Sequence, residues 1–196
     1  MNYSNTSLSG LRVAVFGGSF DPPHRGHVVA VERLLEMETI DRVLVVPVFE
    51  HALSKRCSPF SQRLRMCEAA FDFDSRIEVS AIEENLSPPS YTLPTLQALC
   101  RLHPAWSLRL VIGTDVLNES HRWHRFEEVQ KLAPPIVLSR AGYQGDTLGY
   151  ETVEGLPELS SSEVRRYYSE GDHSEISAAL SPKVRELIAQ FRLYSE

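Results

Sequence analysis

The chain has 196 residues, 42% hydrophobic and 23% charged, the composition of an ordinary globular protein long enough to bury a core of its own. Its formal net charge of -6 argues against a general nucleic-acid binder, which carries a basic face. Met1–Gly10 lacks the apolar run of a signal peptide, the longest apolar stretch (Val43–Phe49) is too short to span a bilayer, and three cysteines without C-x-x-C spacing indicate neither a disulfide framework nor a zinc ribbon.

In chain order, Leu11–Phe16 reads as a buried strand and Gly26–Glu38 as a helix with Val28, Val31, Leu34 and Leu35 on one face. Arg42–Val48 is a second, valine-rich strand. After the irregular stretch Glu50–Pro59, a helix over Ser61–Phe71 and a strand over Ile77–Ile82 follow. Thr92–Leu102 is helical, and Ser107–Ile112 is a strand running into Gly113. Phe126–Leu132 reads as helix and Ile136–Ser139 as extended; Ser161 opens a further helix, and Pro182–Arg192 is a capped amphipathic one. Ala141–Gly149 has the composition of a mobile loop. Buried strands separated by helices predict an α/β fold, a Rossmann-like doubly wound parallel sheet. The expectation is a single domain over 1–196 with a flexible N-terminus at 1–10, in a reducing, cytoplasmic setting, with no membrane or nucleic-acid partner and its oligomeric state left open.

Ligands of such sheets bind beyond the carboxyl ends of the strands, where the strand order switches. The stretch VFGGSFDPPHRGH, residues 15–27, occupies that place. Gly17 and Gly18 let a bulky group approach the backbone, Pro22 and Pro23 stiffen the turn, and Gly26–His27 opens a helix whose N–H groups face the loop. With two imidazoles on the first turn, this is what a polyphosphate needs. A Gly-Gly after a strand is by itself usually only a turn. The H-x-x-H pair lacks the cysteines or carboxylates that complete a metal site, and the G-x-G-x-x-G of dehydrogenase-type dinucleotide sites is missing.

Gly17 to His27 resembles the signature of the nicotinate (nicotinamide) mononucleotide adenylyltransferases, of the nucleotidylyltransferase type with its H-x-G-H motif. Ser90-Tyr91-Thr92, Ile112-Gly113-Thr114-Asp115, Trp123, Leu159 to Arg165 and the ending Leu193-Tyr194 resemble further elements of that family in order and spacing. The resemblance implies transfer of AMP from ATP to a pyridine mononucleotide, with magnesium carried on the ATP phosphates and no metal ligand from the protein.

It implies these roles. Gly17 borders the bound ATP, backbone N–H groups at Gly18, Ser19 and Phe20 hold phosphate, and His24 and His27 donate to ATP oxygens, His27 nearer the reacting centre. Ser160, Ser161 and Ser162 cap a helix and offer hydroxyls and N–H groups to the outer phosphates, joined by the fork of Arg165. Gly113 and Asp115 face the adenosine and its ribose, although Asp115 also reads as a plain helix cap. Arg140 resembles an arginine near ATP. Trp123, with polar flanks, stacks on the pyridine ring, and Tyr91-Thr92, with Thr92 as cap, meets the nicotinate carboxylate.

Two departures fall on the acceptor side. The family's Pro-Pro-His-Lys element is replaced by "VFEHALSKRCSPF", leaving His51 and a candidate phosphate contact at Lys55, and Pro94 stands where a polar residue is usual. The favoured reading is adenylyl transfer to nicotinate mononucleotide. Nicotinamide mononucleotide, phosphopantetheine or flavin mononucleotide as acceptor, and a non-catalytic nucleotide sensor, stay open as alternatives. A tRNA-binding synthetase fragment is disfavoured by the acidic charge.

Overall fold

The structure, a computed structural model, describes residues 10–51, 56–118, 123, 125–140 and 147–194. Six runs rich in β-branched residues form its strands: β1 (Leu11–Gly18), β2 (Arg42–Pro47), β3 (Ile77–Val79), β4 (Trp106–Gly113), β5 (Pro135–Arg140) and β6 (Glu151–Leu156). They make one sheet in the order β3-β2-β1-β4-β5-β6, and every neighbouring pair is parallel. The order reverses between β1 and β4, where Phe16 is in register with Val111. On the other side of β1, Gly17 faces Val46. The carboxyl ends of β1 and β4 therefore part at Gly17–Gly18 and Gly113, and a crevice opens between them.

The helices are α1 (Arg25–Glu36), α2 (Phe60–Phe71), α3 (Thr92–Leu102), α4 (Thr114–Asn118), α5 (Phe126–Leu132), α6 (Ser161–Glu170), α7 (His173–Ala179) and α8 (Pro182–Phe191). Strand periodicity splits the core in two. Ala14, Phe16, Val43 and Val45 point to one face, where they meet Val31 and Leu34 of α1, Met66 of α2 and Ile188 of α8. Val13, Val15, Leu44 and Val46 point to the other, against Leu96 and Leu99 of α3 and Val129 of α5. Both faces of β1 and β2 are covered, which explains their unbroken apolar runs. Each fully buried leucine or valine contributes about 1.5–3 kcal/mol. Ser181 caps α8, Pro182 holds its first turn, and Arg192 ends it in the left-handed region.

Several elements differ from the sequence reading. The third strand stops at Val79, and Ile82–Asn85 turns as a 3₁₀ helix instead, because the Glu83 carboxylate is drawn inward to the Phe49 N–H and the Thr95 hydroxyl. Strand β6 carries three glutamate or threonine side chains in six residues, so its apolar signal is weak, yet Val153 and Leu156 are buried against the α1 face. Helices α4 and α7 are short and were not marked by periodicity. Most of the segment read as a mobile loop, 141–146, lies outside the described residues, as do residues 1–9. Among the described residues no helix is long and apolar enough to cross a membrane.

Candidate active site

The loop after β1 is built around Phe20. Its φ of 47° lies in the left-handed region, strained for an aromatic residue. Burial holds it there: the ring is 1% exposed and meets Phe16, Phe71 and the His27 imidazole edge-on. The same ring explains Gly18, where a Cβ would come within 3.0 Å of it.

His24 ends the loop as the N-cap of α1, and His27 stands at N3. Their rings stack with centroids 3.7 Å apart. The His24 N–H donates to His27 Nδ1 at 3.1 Å, so the neutral His27 ring carries its proton on Nε2 and presents that N–H as a donor. Gly26 makes the stack possible, since a Cβ there would lie 3.0 Å from the His24 ring. Glycine inside the H-x-G-H spacing thus suits the packing of the two rings.

Asp21, only 4% exposed, ties the loop to three distant segments. Its Oδ2 accepts the Ser58 N–H (3.1 Å), its Oδ1 accepts the Tyr194 hydroxyl (2.6 Å), and its carbonyl accepts Arg165 Nη1 (2.7 Å). Burial and this bond to a carboxylate raise the Tyr194 phenol above its ordinary pKa. Arg165 reaches the loop from α6. Ser160 caps that helix, its Oγ accepting the Glu163 N–H while the Glu163 carboxylate accepts the Ser160 N–H. Ser161 Oγ donates to the Pro22 carbonyl at 2.9 Å, and Arg165 Nη2 donates to Ser162 Oγ at 3.1 Å. Ser160 and Ser161 spend their hydroxyls on structural bonds, while Ser162 Oγ accepts from Arg165 and keeps its own O–H, so that hydroxyl, the first-turn N–H groups and the remaining Arg165 donors are what the helix offers an anion.

The Gly17–Ser19 start of the same loop borders a cleft of about 480 Å³. Gly17, Gly18, Ser19, Tyr91, Thr92, Gly113 and Trp123, all expected from the sequence, line it. Asp115 sits in the first turn of α4, exposed, with its carboxylate folded back over Gly113: a Cβ on Gly113 would lie 2.4 Å from Asp115 Oδ1. Tyr91, not Thr92, is the N-cap of α3, and it caps without a side-chain hydrogen bond. Trp123 is half-buried and meets Phe126 edge-on at 5.8 Å. Lys55 and the Arg140 side chain lie outside what the structure describes.

Sequence reasoning missed Glu83 and Arg63, and gave Asp21 no role. Glu83 is a buried carboxylate on the cleft wall. Its only sequence signal is an acidic pair before Ser-Tyr-Thr. Arg63 is 3% exposed and looks in the sequence like any helix-surface arginine.

A parallel sheet in this order, with a glycine-ended first strand, stacked histidines on the next helix and an arginine closing the rim from α6, defines an α/β nucleotide-binding protein of nucleotidylyltransferase type. The cytidylyltransferase-like family model matches residues 15–167. A probable nicotinate-nucleotide adenylyltransferase of Anaeromyxobacter dehalogenans is 32% identical over 94% of this chain and 97% of its own, and one of Nitratiruptor sp. is 35% identical over 79% and 88%. The chain belongs to the cytidylyltransferase-like family, among the nicotinate-nucleotide adenylyltransferases. The fold is also that of the Plasmodium falciparum nicotinic acid mononucleotide adenylyltransferase in complex with NaAD, with a TM-score of 0.81, 22% identity and coverage of 94% of this chain and 97% of that one.

Proposed function

We propose that this protein transfers the adenylyl group of ATP to nicotinate mononucleotide, forming deamido-NAD and pyrophosphate. One observation carries the reading. Arg165 and Ser161 of α6 are bonded to the loop that leads into His24 and His27, and the Gly17–Ser19 start of that loop lines a cleft bearing Tyr91, Thr92 and Trp123. The names of the relatives support the same chemistry.

In this reading a phosphate oxygen of the mononucleotide attacks the α-phosphorus of ATP. The bond from that phosphorus to the bridging oxygen breaks, and pyrophosphate leaves. The nucleophile is already ionised, so no strong base is needed; the protein's task is to align two anions and to stabilise charge at phosphorus. His27 Nε2–H is the donor aimed at that charge, and such a donor commonly contributes about 3 kcal/mol. His24, buried behind it, fixes its tautomer and tilt. Arg165 and the head of α6 hold the outer phosphates, and Gly113 admits the adenosine. Trp123 and Tyr91 flank the pyridine ring, and Lys55 and Arg140 are assigned to phosphate contacts.

The histidines, the α6 amides and Arg165 are all donors, which suits phosphate oxygens and not a cation. Magnesium would accordingly be held by ATP and not by side chains of this protein, and would supply neutralisation of phosphate charge. A panel of acceptors incubated with ATP and magnesium, read for both dinucleotide and pyrophosphate, tests the reading. Dinucleotide from nicotinate mononucleotide is expected, and its absence with every pyridine acceptor would sink the proposal.

A further inference from the structure

Arg63 projects from α2 into the seam between two loops that meet at the cleft. Among the described residues its guanidinium donates only to main-chain carbonyls: Nη1 to Ser19 (2.8 Å), Nη2 to Val48 (2.7 Å) and Phe49 (3.4 Å), and Nε to Ser58 (2.8 Å). Ser19 belongs to the nucleotide loop after β1, and the other three to the loop after β2. Ser19 and Val48 both line the cleft. Among the described residues no carboxylate stands within ion-pair distance of this guanidinium.

Burying an arginine without an anionic partner is costly, and an apolar side chain of similar volume would pack in the same place more cheaply. What such a residue could not supply is a planar fork that fixes several carbonyls at once. The consequence reaches the cleft through peptide planarity. A carbonyl turned toward Arg63 sends the N–H of the same peptide the other way. The Val48–Phe49 peptide shows this directly, because the Phe49 N–H meets Glu83 on the cleft wall at 3.0 Å. By the same geometry the Ser19–Phe20 peptide, whose carbonyl faces Arg63, turns the Phe20 N–H away from Arg63. At Ser58 the two ends are held by opposite charges, the carbonyl by Arg63 and the N–H by Asp21.

We propose that Arg63 is a positioning residue that sets the spacing of the nucleotide loop against the acceptor-side loop, and aims their amides, through main-chain carbonyls. The proposal rests on the adenylyl-transfer reading for the names of the two ligands, though not for the coupling of the loops. The conservative variant Arg63→Lys keeps the charge but can hold only part of the carbonyl set. In the ligand-free full chain, amide exchange at Phe49 and Ser58 should quicken at least tenfold while β1 and β4 amides keep their protection. ATP affinity should fall about tenfold, adenosine affinity should stay within twofold, and the KM of nicotinate mononucleotide should rise.

Unchanged exchange at both loop amides in a folded Arg63→Lys protein would overturn the proposal, whatever the substrate proves to be. Equal losses of ATP and adenosine affinity would reduce Arg63 to a general stabilising role and overturn it as well. If Arg63→Lys does not fold, the wild-type protein supplies the test by NMR. The Arg63 Nε–H signal should shift when ATP binds alone and again when the mononucleotide binds alone, and a signal unmoved by either refutes the coupling. Failure of the acceptor panel with intact loop coupling would discard the substrate assignment and leave Arg63's role standing.

Discussion

Tyr194 donates its hydroxyl to Asp21 Oδ1 at 2.6 Å, joining the residue that follows α8 and Leu193 to the loop that follows β1. The same phenol oxygen receives the Ser58 hydroxyl at 3.5 Å. The carboxyl-terminal segment is therefore stitched under the nucleotide loop, and Asp21 passes that constraint to Arg165 through its own carbonyl. Tyr194→Phe keeps the ring and removes the bond. It should cost about 1.5–3 kcal/mol of stability, the usual worth of a hydrogen bond to a charged group. The pH dependence has a definite sign. The folded protein holds the phenolic proton more tightly than the unfolded chain, whose tyrosines ionise near pH 10. The bond's contribution is complete below about pH 10 and is lost as pH rises beyond it. Alkaline melting curves should show wild type and Tyr194→Phe converging; parallel curves would mean the bond is not what this tyrosine contributes.

His27→Ala should lower kcat about a hundredfold or more and change ATP affinity little, because the Nε2–H bond strengthens as charge develops. His24→Ala should instead affect both kcat and the KM for ATP, since it removes the partner that stacks on His27. Gly26→Ala pushes on the His24 ring from 3.0 Å and should resemble His24→Ala at lower amplitude. Steady-state kinetics on the three variants checks the pattern. A His27→Ala enzyme turning over at the wild-type rate would remove His27 from the chemistry.

How much of this was legible beforehand follows from what each residue contacts. Strands β1, β2 and β4 are covered on both faces, so their apolar runs announced themselves. The glycine-rich loop and the H-x-G-H pair could be read because their spacing is a local constraint: Gly18 yields to Phe20, and Gly26 to His24. Residues that work through the main chain of distant segments left no such trace. Arg63 bonds carbonyls up to 44 positions away, and Asp21 and Tyr194 are 173 apart. A sequence window sees only a helix arginine, a turn aspartate and a tail tyrosine. The serine run has structural work that its sequence did not announce. Beside the phosphate role expected of them, its hydroxyls cap α6, hold Pro22 and orient Arg165.

Arg165→Lys should behave as a loss despite its unchanged charge. The native fork spans the Asp21 carbonyl and Ser162 Oγ, which locks its plane along the rim, and an ammonium cannot bridge both in one plane. ATP binding should weaken about tenfold or more, whereas AMP, which lacks the outer phosphates, should bind nearly as before. Titration calorimetry with both ligands separates the outcomes. Equal losses for ATP and AMP would make Arg165 a structural brace of the Asp21 loop.

The choice between nicotinate and nicotinamide mononucleotide sets two electrostatic effects against each other. Helix α3 begins at Thr92 behind an N-cap, Tyr91, that makes no side-chain capping bond, so the Thr92 and Leu93 amides head the helix toward the cleft. Pro94 deletes the third amide. Such a helix end favours a carboxylate by about 0.3–1 kcal/mol, and up to about 2 kcal/mol when partly buried. Glu83, on the same wall, opposes it. With an effective dielectric of about 20, two like charges repel by about 2 kcal/mol at roughly 8 Å and more strongly at closer range. A partly buried nicotinate carboxylate docked on the α3 amides, and farther than that from Glu83, gains slightly more than it loses, so nicotinate mononucleotide should be preferred by only a small margin in kcat/KM. Glu83→Gln isolates the opposing charge. The amide oxygen can still accept the Phe49 N–H while its nitrogen donates to the Thr95 hydroxyl, whose own proton goes to the Tyr91 carbonyl, so the wall keeps its shape. That variant should widen the preference for nicotinate several-fold. Comparing kcat/KM for the two acceptors in both proteins decides the matter: equal or better use of the nicotinamide substrate by wild type would sink the helix-end argument, and an unchanged ratio in Glu83→Gln would show that the Glu83 charge is screened from the ring.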